Sequence, residues 1–587
     1  MKKSLLIGTA IFCCMTAMAQ WTNDPAVNTK VSPENQSVYG EEFAVNKDGL
    51  VYYNYNGPTG GTTATFLQIM DKNGNKTIEE PGLVISTERA RGWVSVNQML
   101  MADNDGNAII SVSDCRYAPA ESTNLSYTIY KVSPTGEMLW GEDGIGLEKG
   151  ETSNDEAKMS MIQLEDGSYI FAWARRSANG SPYKIYMERL SASGEFIWDN
   201  PVVLSGENTS YPTYPWLVNA GDNQFILVYS KGTNQDLIAQ KYDFDGAPIW
   251  PEDVTVYRGG FGSIPIWTFV TVIPDEKGGA FIGWYDDRYY TGFSKSYVSH
   301  ITSDGEFGFI SGIEGTALSN PEYLMGFGPQ MVYDSKNDCL FTVHRECDRN
   351  QSWHKLVLQK VSMDGELLWG SEGKDLTELK NNSTVSYYSI QTTGDGDFVA
   401  FYMYLDGIAS NSNVLTYAVR IDGESDDATR VWGEDPILLS SAKSNKASLE
   451  SSSLVNNGYY VTMWSDKRLT DTEEPSKEST YMQCINLDGT LLETPSSIDN
   501  LNMNQDFYLM ASTMKGNVTF NINSKKDGLA NLSIYSISGQ KVATPFNGQL
   551  ESGTKDIIWN TANLNIGVYI ATLTTSEGSK SIRIIVK

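Results

Sequence analysis

One phrase recurs along the chain: "KVSPTGEMLW" at 131–140, "RLSASGEFIW" at 189–198, "KYDFDGAPIW" at 241–250 and "KVSMDGELLW" at 360–369. Its glycine falls at Gly74, Gly136, Gly194, Gly246, Gly305, Gly365, Gly423 and Gly489, in steps of 62, 58, 52, 59, 60, 58 and 66 residues. An alternating apolar run precedes each occurrence and a short one follows. The phrase therefore reads as strand, tight turn, strand, with D-G or N-G corners that tolerate positive φ. A fixed period constrains a fold more than any isolated motif does. A unit of this size cannot bury its own apolar faces and must stack on its copies.

A second series of turns supplies the other half of each unit: "NKDG" at Asn46, "DNDGN" at Asp103, "EDG" at Glu165, "GDN" at Gly221, "DEKGG" at Asp275, "DSKND" at Asp334, "GDGD" at Gly394 and "NNG" at Asn456. Each leads into a strand that is apolar on both faces, such as "AIISVS", "AFIGWY" or "YYVTMW". Two hairpins per unit make four strands, and no helical periodicity of useful length lies between them. The expectation is an all-β chain: a β-propeller of eight four-stranded blades, then a small C-terminal β-sandwich. Seven blades result if the first unit is a partial blade completed by the last. A string of β-sandwiches would need domains of about 100 residues, which the period does not offer.

The aromatic that ends the phrase stands at Trp140, Trp198, Trp250, Trp369 and Trp432, with Phe309 in its place once. Such a residue closing the outer strand can pack sideways on the next blade, burying on the order of 150–250 Å². The phrase resembles the G-x-x-x-W strand of quinoprotein-type propeller repeats. It is less similar to the Asp box of sialidase propellers, since Gly136 lies four residues before Trp140. The quinone cofactor does not follow, because the chain after its leader holds no vicinal cysteine pair.

The ends of the chain carry an address. Lys2 and Lys3 precede an apolar stretch from Leu5 to Met15, and "AMAQ" places small residues at Ala17 and Ala19 before Gln20. This reads as a signal peptide over 1–19, which removes Cys13 and Cys14. At the other end stand "SIYSISGQKV", "LNIGVYIATL" and a terminal "SIRIIVK". These stretches resemble the C-terminal sorting domain of the type IX secretion system of Bacteroidetes, carried here by Gly539, Gly567, Tyr569 and Lys587. The resemblance implies recognition by outer-membrane secretion machinery and a cell-surface or extracellular destination. The expected organisation is a linker over 20–36, the propeller over 37–492, a linker over 493–508 and the sorting-type sandwich over 509–587.

A formal charge of −28 excludes nucleic acid as a partner and disfavours anionic lipid. No segment reaches the roughly 20 apolar residues of a transmembrane helix. Cys115, Cys339, Cys347 and Cys484 admit three pairings, but free buried thiols are expected, since an extended strand holds Cys339 and Cys347 too far apart. His300, His344 and His354 have no metal-ligand spacing, so no zinc site is expected, and no cofactor other than calcium comes into question. "DNDGN" and "GDGDF" have a calcium-loop flavour, yet turn chemistry accounts for them.

Chemistry concentrates where second strands end: "VSDCR" with Asp114 and Arg116, "WYDDR" with Trp284, Asp286 and Arg288, "WSDKR" with Trp464, Asp466 and Arg468, and "WARR" with Arg175. Asp and Arg two residues apart on a strand share a face. Two uses follow. A ring of Arg, Asp and aromatic groups at the propeller mouth suits an acidic or polyhydroxylated ligand; alternatively, the recurring pair ties blades together. No Ser-His-Asp order, phosphate loop or H-E-x-x-H motif is present. The functional expectation is an exported protein that binds a glycan or a protein partner. Glycan hydrolysis or elimination by Arg and Asp at the mouth is the enzymatic alternative, and a purely structural envelope component is a third.

Overall fold

The computed structural model describes residues 21–586, leaving aside 34–37, 60–61, 88–98, 177–180, 208–213, 260–269, 289–292, 320–322, 406–413, 469–477, 494–506, 537–539 and a few single or paired positions. The chain divides into two units, Met1–Leu492 and Glu493–Lys587. Among the described residues there is no α-helix, and a short 3₁₀ turn spans Gly312–Glu314.

The first unit is a β-propeller. Its strands form eight antiparallel sheets, each built on a four-strand path, and each expected repeat contributes one sheet. In the fifth sheet the order is Thr271–Pro274, Ala280–Asp286, Lys295–Ile301 and Thr316–Ala317. First strands of successive sheets touch one another at most of the seams, as they do where they line a propeller's axis. Second strands are buried along their length, as at Ala280–Asp286 and Tyr459–Asp466. Their two apolar faces meet the sheets on either side, which is why they lack the polar alternation of a surface strand.

Hydrophobic clusters occupy every seam between consecutive sheets. Ile282, Trp284, Val228 and Trp250 join the fourth sheet to the fifth, and Phe341, Trp369, Phe398 and Ala400 join the sixth to the seventh. The ring closes where Val51, Tyr53 and Phe66 of the first sheet pack on Val461, Met463 and Met482 of the eighth.

The eighth sheet takes its outer strand from the other end of the chain. Thr29 and Lys30 pair with Met482 and Tyr481, while Trp21 and Val31 are buried in the closing cluster. The expected linker over 20–36 is therefore part of the ring. A strand that closes the circle must cross the first and last units, and its shortness, two residues, hid it from periodicity.

The phrase also behaves differently from expectation. Its corner is a tight turn, with Gly305 at φ 83° and Gly489 at φ 87°. The stretch after it contributes only a single bridge, such as Val361 to Leu367, and the fourth strand follows later, at Lys374–Asp375 in that sheet. The tryptophan thus sits before the outer strand rather than closing it. In the seventh repeat the corner widens, and Ile421 bridges Arg430.

From that position each indole reaches the next corner. Trp140 Nε1 donates to Ala192 O at 3.2 Å, Trp198 to Phe244 O at 3.0 Å, Trp250 to Ser303 O at 2.9 Å and Trp432 to Leu487 O at 3.0 Å. A Cβ on Gly305 would lie 2.9 Å from Trp250, and one on Gly489 would lie 2.8 Å from Trp432. The phrase's leading cation reaches the same carbonyl: Arg189 donates to Phe244 O at 2.8 Å and Arg420 to Leu487 O at 3.0 Å. So the repeated words of the sequence are one joint, used around the circle.

The second unit is a two-sheet sandwich. One sheet holds Phe507–Met514, Asn517–Ser524 and Gly553–Asn560; the other orders Lys541–Leu550, Gly528–Ser536, Gly567–Thr575 and Gly578–Val586. Its first strand begins two residues before the expected start at 509. Phe520, Leu532, Ile534, Ala571 and Leu573 fill the core between the sheets.

Candidate functional site

The four expected Arg/Asp constellations lie where the sequence put them, at the ends of second strands. Asp286 is fully buried; it accepts from Trp284 Nε1 at 2.9 Å and from Arg288 at 3.1 Å. The Arg288 guanidinium runs outward, 3.9 Å from the centroid of the Tyr297 ring, and donates to Glu314 O at 2.6 Å. In the eighth sheet Asp466 accepts from Trp464 at 3.2 Å and from Arg468 Nε at 2.9 Å. Arg468 crosses Tyr481 at 3.8 Å and donates to Val27 O at 2.8 Å. Arg116 grips Asp114 through Nε at 3.0 Å and Nη2 at 2.8 Å, and donates to Tyr130 Oη and Asp143 O.

Each cation therefore lies over its own third strand and is bonded near its own fourth strand. Two also touch the preceding sheet, Arg116 at Ser86 and Arg468 at Ser440. These side chains pass into the outer half of the sheet rather than converging on the axial opening. A buried carboxylate beside a buried guanidinium that also reaches a main-chain carbonyl is a clamp across three strands.

The other sheets vary the theme. Arg175 stacks on Tyr186 at 4.2 Å and takes its acid from the preceding connection, Glu148 at 2.7 Å, while Trp173 donates to the same carboxylate. In the sixth sheet His344 takes the tryptophan position and Glu346 the acid position. Glu346 accepts from Ser319 at 2.5 Å and lies 3.4 Å from Lys355. Burial alone would push the Glu346 carboxyl up; contacts with His344, Ser319 and Lys355 outweigh it and hold the group below the usual carboxylate range.

The turn carboxylates are likewise engaged. Asp103 accepts from Asn107, from Tyr169 at 2.8 Å and sits 3.3 Å from Lys131, and Asp397 accepts from Arg420 at 2.8 Å. Cys115, Cys339, Cys347 and Cys484 are buried, and no disulfide joins them.

The seventh sheet departs from the series. Tyr402 pairs across strands with Tyr417, as Trp284 does with Tyr297 and Trp464 with Tyr481. Two residues on, where those sheets carry Asp286 and Asp466, stands Tyr404. A groove of about 700 Å³ opens at this seam, lined by the three tyrosines with Lys380, Arg430 and Asp435 among others. A second cleft, of about 590 Å³, lies between the first and second sheets and includes Arg116, Tyr130, Glu137 and Asp143. The sequence reading missed Tyr402, Tyr404, Tyr417 and Arg430. The available signal was the register of "FYMYL" against "GWYDD", which shows the acid replaced.

In the second unit Tyr569 is buried edge-on to Trp559 at 6.4 Å, and Gly567 opens its strand. Gly539 and Lys587 lie outside the described residues. Residues 514–587 match the secretion system C-terminal sorting domain, so the chain is an exported protein with a cell-surface or extracellular destination. No helix among the described residues is long and apolar enough to cross a membrane.

No curated protein matches the chain. Among solved structures it is similar to polysaccharide lyase Uly1 (13% identity, TM-score 0.35, covering 71% of this chain and 93% of that one). It is similar to the N11 neuraminidase-like protein of A/flat-faced bat/Peru/033/2010 (8%, 0.33, 81% and 96%) and to a thermostable family-43 glycoside hydrolase (13%, 0.28, 49% and 96%). At these scores the propeller assignment rests on strand order and seams.

Proposed function

We propose that this exported chain works by binding: the ring presents a rigid recognition surface, and its ligand is a glycan or a protein of the cell envelope. What supports the reading is the joining of a sorting domain to a ring whose recurrent Arg, Asp and Glu groups are spent on clamps and joints. The surface that remains for a partner is shape, aromatic rings and rim charge. The sorting domain brings the secretion machinery as a transient partner.

The test uses the mature secreted chain. It is applied to a glycan array and, immobilised, to detergent-solubilised envelope proteins crosslinked in place. Saturable binding to a glycan or one envelope protein is expected, with the glycan recovered uncut. Steady release of shortened or unsaturated sugar would replace binding by catalysis, and no partner in either format would leave a structural role.

A further inference from the structure

In the seventh sheet a groove lined by tyrosines stands where other sheets carry the clamp, and that groove carries an inference. In the second, fifth and eighth sheets an Asp–Arg pair lies over the third strand, and in the second it borders the 590 Å³ cleft. In the seventh sheet the corresponding register holds Tyr404 opposite Leu415, and the seam stands open as the 700 Å³ groove. That volume is within the span of about 300–1,000 Å³ usual for small-molecule sites.

Its floor is preorganised. Tyr402 is 3% exposed and stacks on Tyr417 with ring centroids 5.4 Å apart. Arg430 ties the two walls together by donating to Leu376 O of the sixth repeat at 2.8 Å and to Glu434 O at 2.5 Å. Tyr404 and Tyr417 are only partly buried.

We propose that this groove between the sixth and seventh sheets binds a neutral carbohydrate chain, with Tyr404 and Tyr417 as the platform. A sugar ring has an apolar C–H face and a polar rim, which matches aromatic rings bordered by both donors and acceptors. Charge decides against an acidic sugar. Lys380 and Arg430 are balanced by Glu378 and Asp435 around the groove, and the chain as a whole carries −28. A proline-rich peptide would want an indole donor at such a groove. No indole is among the described residues that line this groove. The inference rests on the binding reading above and names its site.

The experiment titrates the full mature chain calorimetrically with cello-, malto-, xylo- and mannohexaose, with hexagalacturonate and with a proline-rich decapeptide. At least one neutral hexasaccharide binds. Tyr404→Ala and Tyr417→Ala each weaken it about tenfold or more, a loss of roughly 1.4 kcal/mol or more. Glu378→Trp, a change at an exposed rim position, blocks the groove and abolishes binding with the unfolding midpoint unmoved. It keeps the test valid if a tyrosine variant folds poorly. Neutral sugar binding that survives Glu378→Trp would place the site elsewhere and overturn the inference while leaving the binding reading intact. Binding of hexagalacturonate or the peptide alone would overturn the neutral-sugar assignment, as would no binding by any probe.

Discussion

The indole Nε1 of Trp21 donates to the carbonyl oxygen of Lys72 at 2.9 Å. Lys72 stands two residues before Gly74, the place that Ala192, Phe244, Ser303 and Leu487 hold in their own corners. Trp21 is thus the eighth sheet's version of Trp140 or Trp432, supplied from the far end of the chain. "WTNDP" at 21–25 even repeats "WGEDP" at 432–436.

Removing that contact opens the circle. Trp21→Ala should lower stability by about 3–5 kcal/mol, the usual loss for a large buried aromatic. Trp21→Phe keeps the apolar filling and should cost about 1 kcal/mol for the lost hydrogen bond. Guanidinium unfolding followed by circular dichroism gives both values. Equal, negligible losses would mean that the ring is held shut without the N-terminal segment.

Glycine at the joint is tested by contrast. An alanine at Gly489 suffers both positive φ and a Cβ 2.8 Å from Trp432, whereas Gly221 has positive φ, 74°, with nothing within 4 Å. Gly221→Ala should cost about 1–2 kcal/mol from the backbone alone. Gly489→Ala should exceed it by a further 1–3 kcal/mol of overpacking. Unfolding midpoints of the two variants measure the difference.

Much of this architecture was open to inspection in the sequence. The eight corners, the doubly apolar second strands and the C-terminal address all declare themselves, because each depends on local spacing. The closing strand did not, since two residues have no period. Nor did the purpose of Asp286 and Arg288: spacing shows that they share a face, but only Tyr297 and Glu314 reveal which way the face looks. The tyrosine groove was harder still, being defined by an acid that is missing from its register.

The clamps should behave as buried ion pairs. Asp286→Ala leaves the Arg288 guanidinium buried without its carboxylate and should cost about 3–5 kcal/mol. Replacing both residues by apolar ones of similar size should recover much of that loss. Ligand affinity at the seventh-sheet groove should stay within twofold in every variant that folds. A tenfold fall in affinity without a fall in stability would return Arg288 to the list of contact residues.

Acid should loosen the ring. Burial would raise the Asp275 carboxyl, but His300 at 2.9 Å and the backbone donors of Lys277 and Gly279 hold it below its ordinary value; Asp103, Asp166 and Asp395 are lowered likewise. A depressed carboxylate stabilises fully above its unfolded value, about 3.9, and loses that contribution as pH falls through the folded one. Unfolding midpoints should therefore be steady down to about pH 4 and drop below it. Asp275→Asn should be less stable at neutral pH and show a shallower acid decline.

The thiols should be silent in the native chain. Burial pushes Cys339 up to about 12 and Cys347 up to about 11, and lifts Cys484 as well. A thiol-reactive chromophore at pH 8 should label none of the four in the folded protein and all of them in guanidinium. Labelling of one site in the native state would show that its seam opens.

The indole joint takes a main-chain oxygen and rests on a residue that has no side chain. It therefore asks almost nothing of the neighbour's identity. Units coupled in this way are interchangeable: a duplicated one finds a matching socket before it and offers one behind it. Genetic copying can lengthen or renew such a circle without redesigning its couplings. Novelty is then free to accumulate on the flanks, as where Tyr404 stands beside an aromatic trough in the register that holds Asp286 and Asp466 elsewhere.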